Sequence, residues 1–395
     1  MIDFAFDPLP GAELHGALAA LRSAGPIVPC RFGGQPAFLI TTRALLEEAF
    51  RDVERLPPAR LYQNSIARTI GENFQSMEGA RHHLYRRIAT PAFRSRAIER
   101  YGEEGMRELA REVIDRFRER PTVDLVDVFT HRFPFLVISR LLGVPRAQEE
   151  KFHQWAHELL GPPGVSRADS LRATQEFEAV IQPSIEARRE KPTDDVISEL
   201  VHSEVEGTRL SSEQIASHVK LMFAAGATTT CDALGNLIHA LLLDGGRAWR
   251  EVLEVPDLRA GAIHEALRWE PPVANLPRLS APHGVDFGGV EIPPSSLVLM
   301  SMAAANRDPA VYPEPDRFDP RRPVSDLLTF GRGERSCPGM HLARRSLRVA
   351  LDALLDAFPE LAHQGEVTAS APRGATLRGP ARLPVELGPP LERAS

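Results

Sequence analysis

Between residues 45 and 243 apolar side chains recur mostly at helical spacing, three and four positions apart. Residues 101–118 set a charged face against an apolar one, which predicts an amphipathic helix. Residues 133–142 are apolar nearly throughout, which predicts a buried helix that stops at Gly143. Ser211-Ser212-Glu213-Gln214 has the pattern of a helix start, a Ser cap with Gln three positions on. That helix is expected to run to Leu243, where Gly245-Gly246 ends it, and another covers residues 260–269 and stops at Pro271-Pro272. Near the N-terminus two strand-like runs, 27–32 and 36–40, flank Gly33-Gly34 as a hairpin turn.

The pattern changes after residue 273. Prolines become frequent, and short strand-like pieces appear at 285–292 and 297–301. A Gly-rich loop at 330–339 precedes a helix to about residue 358, and 363–387 reads as strands and turns. No repeat or low-complexity linker divides the chain. The helix-rich middle and the strand-rich ends look interleaved, so the expected class is α+β, mainly α, with residues 1–395 as a single domain.

Charge and cysteine usage narrow the partners. Lys+Arg is 47 and Asp+Glu is 53, a net charge of -6, which argues against nucleic-acid binding. The longest apolar stretch, 221–243, carries a Thr run, Asp232, Asn236 and His239, too polar for a lipid-facing span. The first ten residues lack the basic and apolar regions of a signal peptide. Three scattered cysteines, Cys30, Cys231 and Cys337, do not make a disulfide framework and fit a reducing compartment. A cytoplasmic protein without membrane contact is expected.

The most specific chemistry lies in Phe330-Gly331-Arg332-Gly333-Glu334-Arg335-Ser336-Cys337-Pro338-Gly339. Its glycines allow a tight loop whose backbone can approach a flat ligand. Pro338 is a favoured first helical residue, which would put the Cys337 sulfur at a helix N-terminus, where a thiolate is stabilised. A nucleophile would need a nearby base, and a zinc site more Cys or His at short spacing; the loop has neither. A single thiolate suits haem iron.

This loop resembles the haem-binding signature of the cytochrome P-450 family, Phe-Gly-x-Gly-x-x-x-Cys-x-Gly, through Phe330, Gly331, Gly333, Cys337 and Gly339. The resemblance covers about residues 25–385. It implies a helix-rich core with small antiparallel sheets, and haem b held between the buried long helix and the cysteine loop. Cys337 would be the iron ligand, with Phe330, Gly331 and Ala225 against the haem and His82, Arg86, Arg278 and Arg335 on its propionates. Glu265-x-x-Arg268 matches the family's Glu-x-x-Arg, and Arg317, in Pro313-Glu-Pro-Asp-Arg-Phe318, would complete a structural network with it.

On the oxygen side, Ala225-Gly226-Ala227-Thr228-Thr229-Thr230 resembles the family's small-residue and threonine pattern. Its small residues would let the helix pass close over the haem, and Thr229 falls at the catalytic threonine. Thr228 stands where the family usually has an acid, so ordered water and the hydroxyls of residues 228–230 are expected to carry protons, or Asp232 to supply the carboxylate. The pocket would draw on Leu221, Ala224, Ala225, Val273, Ala274 and the loop at Thr376. Residues 56–77 would form a lid, with polar contacts from Tyr62, Gln63 and Asn64. Mostly small, aliphatic lining implies an apolar ligand of moderate size.

The chain has no dinucleotide fingerprint and no cysteine set for an iron–sulfur cluster. A ferredoxin with its reductase is therefore expected to bring electrons from NAD(P)H. Its docking patch would use Arg344, Arg345 and Arg348 with Arg94 and Arg96. The implied activity is a monomeric haem-thiolate monooxygenase that inserts one atom of O2 into a C–H bond. The rivals are a peroxide-driven peroxygenase, motivated by Thr228, and a haem protein that binds ligand without turnover.

Overall fold

Ser211 starts the long helix as its sequence dictates. The Gln214 N–H donates to Ser211 Oγ at 3.2 Å, and the Ser211 N–H donates to Gln214 Oε1 at 3.0 Å. The computed structural model describes residues 2–93, 102–162, 164–323 and 326–389. In it the helix spans Ser212–Glu254, broken by non-helical backbone at Leu243, Asp244, Gly245 and Gly246. The break falls where the two glycines predict it, because three successive positive φ angles cannot continue a right-handed helix.

This helix is apolar nearly all round because helices cover it on several sides: Phe133–Leu142, Phe152–Leu160, Arg167–Glu190, Leu258–Trp269 and Met340–Ala357. Phe223 sits at the centre, with the Phe177 ring at 4.5 Å and the Phe152 ring edge-on at 5.3 Å. Burying aromatic side chains of this size contributes about 2–3 kcal/mol each. Phe133–Leu142 ends as expected, with Gly143 in the left-handed conformation. The amphipathic helix spans Glu103–Asp115, shorter than the charge pattern suggested.

The sheets are small. One has four strands in the order Ile27–Phe32, Gln35–Ile40, Leu297–Ser301, Asn275–Leu279. Its first and last pairings are antiparallel, as expected of these small sheets, and its central one is parallel, which departs from that expectation. The parallel pairing joins the N-terminal hairpin to a strand some 260 residues later. The piece at 285–292 is a hairpin of Val285–Phe287 and Val290–Ile292, turned by Gly288 and Gly289 at positive φ. A third sheet holds Thr122–Asp124, Pro384–Glu386 and Ala362–His363. The class is mainly α with small sheets. Among the described residues no helix is long and apolar enough to cross a membrane.

Candidate active site

The cysteine loop is closed by two backbone hydrogen bonds. Gly331 N–H donates to Leu328 O and Cys337 N–H donates to Phe330 O, both at 2.8 Å. Gly331 and Gly333 take φ of 67° and 70°, a region that strains any residue with a Cβ. The following helix is Met340–Ala357, capped by Gly339, so Pro338 lies outside it rather than at its first turn. The expected electrostatic stabilisation of a thiolate is present but outweighed by burial. Burial pushes the Cys337 thiol above its usual range, while the Gly339 N–H, the Arg86 charge and the Met340 N–H favour the thiolate. As a residue Cys337 is open on one side, unlike the buried Cys30 and Cys231, although its thiol group is enclosed enough for burial to act on it. Burial pushes the Cys30 thiol up to about 12 and raises Cys231 as well.

Around the loop stand His82 and Arg86, one turn apart on Gly79–Ala89, with Arg278 on its strand and Arg335 in the loop itself. Arg335 donates to Phe74 O at 3.1 Å and to Met77 O, Arg86 to Ser336 O, and Arg278 to Ala49 O and Leu56 O at 3.2 Å each. Their charges are felt mutually. Burial, then Arg335 and Arg86, hold His82 down at about 3, and burial holds Arg278 at about 10 with Arg335 adding to the effect. Both His82 ring nitrogens are buried without a hydrogen-bond partner. Glu334 pairs with Arg335 at 3.3 Å and comes within 3.8 Å of His82 Nδ1, but the guanidinium groups of Arg86 and Arg278 donate to backbone carbonyls and the His82 ring has no hydrogen-bond partner, so the cluster holds more donors than this one carboxylate satisfies. Beside a cysteine with two N–H groups stabilising its thiolate, it fits haem, which presents iron to the sulfur and carboxylates to the cations.

On the long helix, Ala225 and Thr229 share one face and are partly exposed. Hydroxyls of Thr228, Thr229 and Thr230 donate to the carbonyls of Ala224, Ala225 and Gly226 at 2.9, 2.9 and 2.7 Å. A Cβ on Gly226 would come within 3.2 Å of Ile138, so this glycine admits a neighbouring helix. Asp232 lies against the 375–379 loop, since a Cβ on Gly379 would fall 2.3 Å from Asp232 Oδ1. Burial pushes its carboxyl up to about 7.

Several expected pocket residues are closed off. Leu221, Ala224 and Ala274 are 2% exposed or less and belong to the packed core, so they do not line open space. Val273 is partly buried and bridges Leu377. Thr376 turns its hydroxyl to Phe4 O at 3.1 Å, toward the N-terminal segment. Of the polar lid residues, Gln63 donates to Ser76 O at 2.9 Å and the exposed Asn64 to Arg60 O at 3.0 Å. Tyr62 feels the charges of Arg278 and Arg335, which places it at the cation cluster.

Behind the loop, Glu265 and Arg268 are fully buried and paired at 2.7 and 2.8 Å. The third side chain of this network is Arg322, which donates to Glu265 Oε1 at 3.1 Å. Arg317 is corrected accordingly: it gives only its carbonyl to Arg268, and its side chain, 56% exposed, faces Glu314 and Asp319. Arg268 also donates to Asn306 O, Asn306 to Thr329 Oγ1, and Thr329 to Leu267 O, at 2.9, 2.8 and 2.7 Å. Thr329 adjoins Phe330, so the brace reaches the cysteine loop. A second brace escaped the sequence reading. Buried Glu270 bonds Arg378 at 2.6 Å and His15 at 3.0 Å, with Arg307 at 3.8 Å. No motif marks it, because its members come from four distant segments.

The basic patch on Met340–Ala357 is partly neutralised. Arg345 pairs with Glu103 and Arg348 with Asp352, while Arg344 stacks over Phe330 at 5.1 Å. Arg94 and Arg96 lie outside the described residues.

The family profile described as Cytochrome P450 matches residues 9–244 and 249–383. The interruption falls beside the helix break at 243–246. The chain is 31% identical over 392 residues to mycinamicin IV hydroxylase/epoxidase from Micromonospora griseorubida, covering 97% of this chain and 98% of that protein. It is 32% identical over 386 residues to vitamin D(3) 25-hydroxylase from Pseudonocardia autotrophica, covering 95% and 94%. Among solved structures, the bacillaene polyketide synthase cytochrome P450 PksS from Bacillus subtilis 168 superposes with a TM-score of 0.86 at 28% identity, covering 95% of this chain and 96% of that one.

Proposed function

This chain belongs to the cytochrome P450 family, and from that premise we propose that it hydroxylates a mainly apolar small molecule with electrons from a separate ferredoxin and reductase. The enzyme class is cytochrome P450 monooxygenase and the cofactor is haem b.

Bound haem supplies the oxygen-activating iron chemistry. The chain's own residues do the rest. Cys337 provides the thiolate ligand from a loop whose glycines and closing hydrogen bonds fix its direction. His82, Arg86, Arg278 and Arg335 hold the haem carboxylates, which gives the orphaned His82 ring its partner. Thr229, on the partly exposed face with Ala225, holds water and passes protons through its hydroxyl. Glu265, Arg268 and Arg322 keep the cysteine loop rigid from behind. Val273 and Leu377, both uncharged and partly exposed, form the wall against which substrate lies. The relatives' names span mycinamicin IV and vitamin D(3), so kinship selects no single substrate. Arg344, which among the described residues of the basic patch has no ion-pair partner, is the donor-facing charge.

The observation that carries this reading is the Cys337 sulfur flanked by the Gly339 and Met340 N–H groups. Cys337→Ala tests it: the thiolate-type spectrum of the reduced carbon monoxide complex should vanish, and its persistence would overturn the ligand assignment. A spin-state screen of apolar ligands, which needs no redox partner, then identifies candidate substrates. Hits are incubated with ferredoxin, reductase and NADH, or with hydrogen peroxide alone. Product from peroxide only would favour the peroxygenase reading, which the hydroxyl of Thr228 in place of an acid motivates.

A further inference from the structure

Tyr62 lies on a short helix, Ala59–Asn64, that is tied down on both sides of it. Arg60 donates to Ser280 O at 2.6 Å, two residues beyond Arg278 on the same chain segment. Gln63 donates to Ser76 O at 2.9 Å, within the turn whose Phe74 and Met77 carbonyls Arg335 grips. The helix also packs directly on the Arg278 strand. These ties hold Tyr62 beside the segments that carry Arg278 and Arg335, and both charges act on its phenol. Its side chain is half-buried, and among the described residues its hydroxyl has no hydrogen-bond partner.

We propose that the Tyr62 hydroxyl donates a hydrogen bond to a haem propionate, making Tyr62 a positioning residue for the cofactor beside Arg278 and Arg335. The chemistry suits the place. Arginines bring charge to a carboxylate, and a neutral phenol adds a directed donor without adding repulsion to a crowded cation cluster. Burial pushes the phenol above its ordinary range, so the hydroxyl keeps the proton that it must donate. The inference rests on the assignment of the cation cluster to the propionates.

The test uses the haem-loaded full chain, with Tyr62→Phe, which keeps the ring and removes the oxygen. Haem transfer to excess apomyoglobin should be roughly tenfold faster than in the wild type, the scale of a lost hydrogen bond to a charged acceptor. The propionate bending band in the resonance Raman spectrum should shift, a change that loss of packing alone would not produce. Arg86→Gln is the reference for the cluster. If it accelerates haem loss while Tyr62→Phe changes neither rate nor band, the Tyr62 assignment is overturned. If Arg86→Gln and Arg335→Gln also leave both unchanged, the cluster assignment fails and the Tyr62 proposal with it. If Tyr62→Phe instead weakens only ligand-induced spin shifts, Tyr62 faces substrate and the proposal is wrong.

Discussion

Arg322 donates through Nε to Glu265 Oε1 at 3.1 Å across 57 residues of sequence, while Arg317, five residues nearer, turns its side chain to solvent. The guanidinium of Arg322 also reaches Pro313 O at 2.6 Å and Glu314 O at 3.0 Å. It therefore ties the 313–322 segment to the Glu265 helix. Arg322→Ala should cost about 1.5–3 kcal/mol, the range for hydrogen bonds to a charged group. Arg317→Ala should stay within about 0.5 kcal/mol, as exposed pairs do. Urea unfolding of both variants separates them, and equal losses would contradict this account of the network.

The cysteine loop makes a second demand, on backbone conformation. Gly331 has φ of 67°, and an added Cβ there would meet Phe50 Cε1 at 3.4 Å, an ordinary contact. Steric room is therefore available and the left-handed backbone alone opposes a side chain. Gly331→Ala should lose about 1–2 kcal/mol of stability. It should also lower the fraction of protein that retains haem, because Cys337 N–H is held by the adjacent Phe330 carbonyl. Haem content per chain and the unfolding midpoint, measured together, check this; a variant equal to wild type in both would contradict it.

How much of this was legible beforehand depends on how local each signal is. The cysteine loop, the Ser211 cap and the Gly143 stop are written in consecutive residues, and they form where the sequence puts them. Glu265 and Arg268 are one turn apart on a helix, so their pairing was legible too. The choice between Arg317 and Arg322 was not. Both lie in an irregular, proline-rich segment where no periodicity says which side chain points inward. Tyr62 needed two long-range ties, to Ser280 and Ser76, before its neighbours could be known. Gly226 looked like clearance for a ligand, whereas its nearest obstacle is Ile138 from a helix some ninety residues earlier.

Asp232 carries a pH signature. Burial lifts its carboxyl to about 7, against about 3.9 for an unperturbed Asp. The native state therefore keeps a proton that the unfolded chain has already lost across this window. Its contribution to stability is fully present below about pH 4, falls as pH rises to about 7, and changes no further above that. The slope from this group is at most ~1.4 kcal/mol per pH unit. Asp232→Asn should flatten the dependence and be more stable than wild type at pH 8, with little difference at pH 4. Urea midpoints of both proteins at the two pH values decide it; a variant that is less stable at pH 8 would show that the carboxylate is held by a favourable partner.

Thr229 and Asp232 compete for the proton-delivery role, and coupling separates them. The hydroxyls of residues 228–230 all donate back to the helix, but only Thr229 shares the partly exposed face with Ala225. A hydroxyl bonded to its own helix still accepts a hydrogen bond from water, so Thr229 can anchor a water at the oxygen side without breaking its contact to Ala225 O. Thr228, 8% exposed, has no such access. Thr229→Ala should lower product formed per NADH by roughly tenfold, in keeping with loss of a positioned proton donor, while NADH consumption continues and peroxide accumulates. Thr228→Val should leave that ratio near wild type. If Asp232→Asn also leaves it unchanged, water held by Thr229 delivers the proton and Asp232 has no part in the relay. If Asp232→Asn uncouples as severely as Thr229→Ala, the carboxyl one turn along the helix replaces the acid missing at position 228.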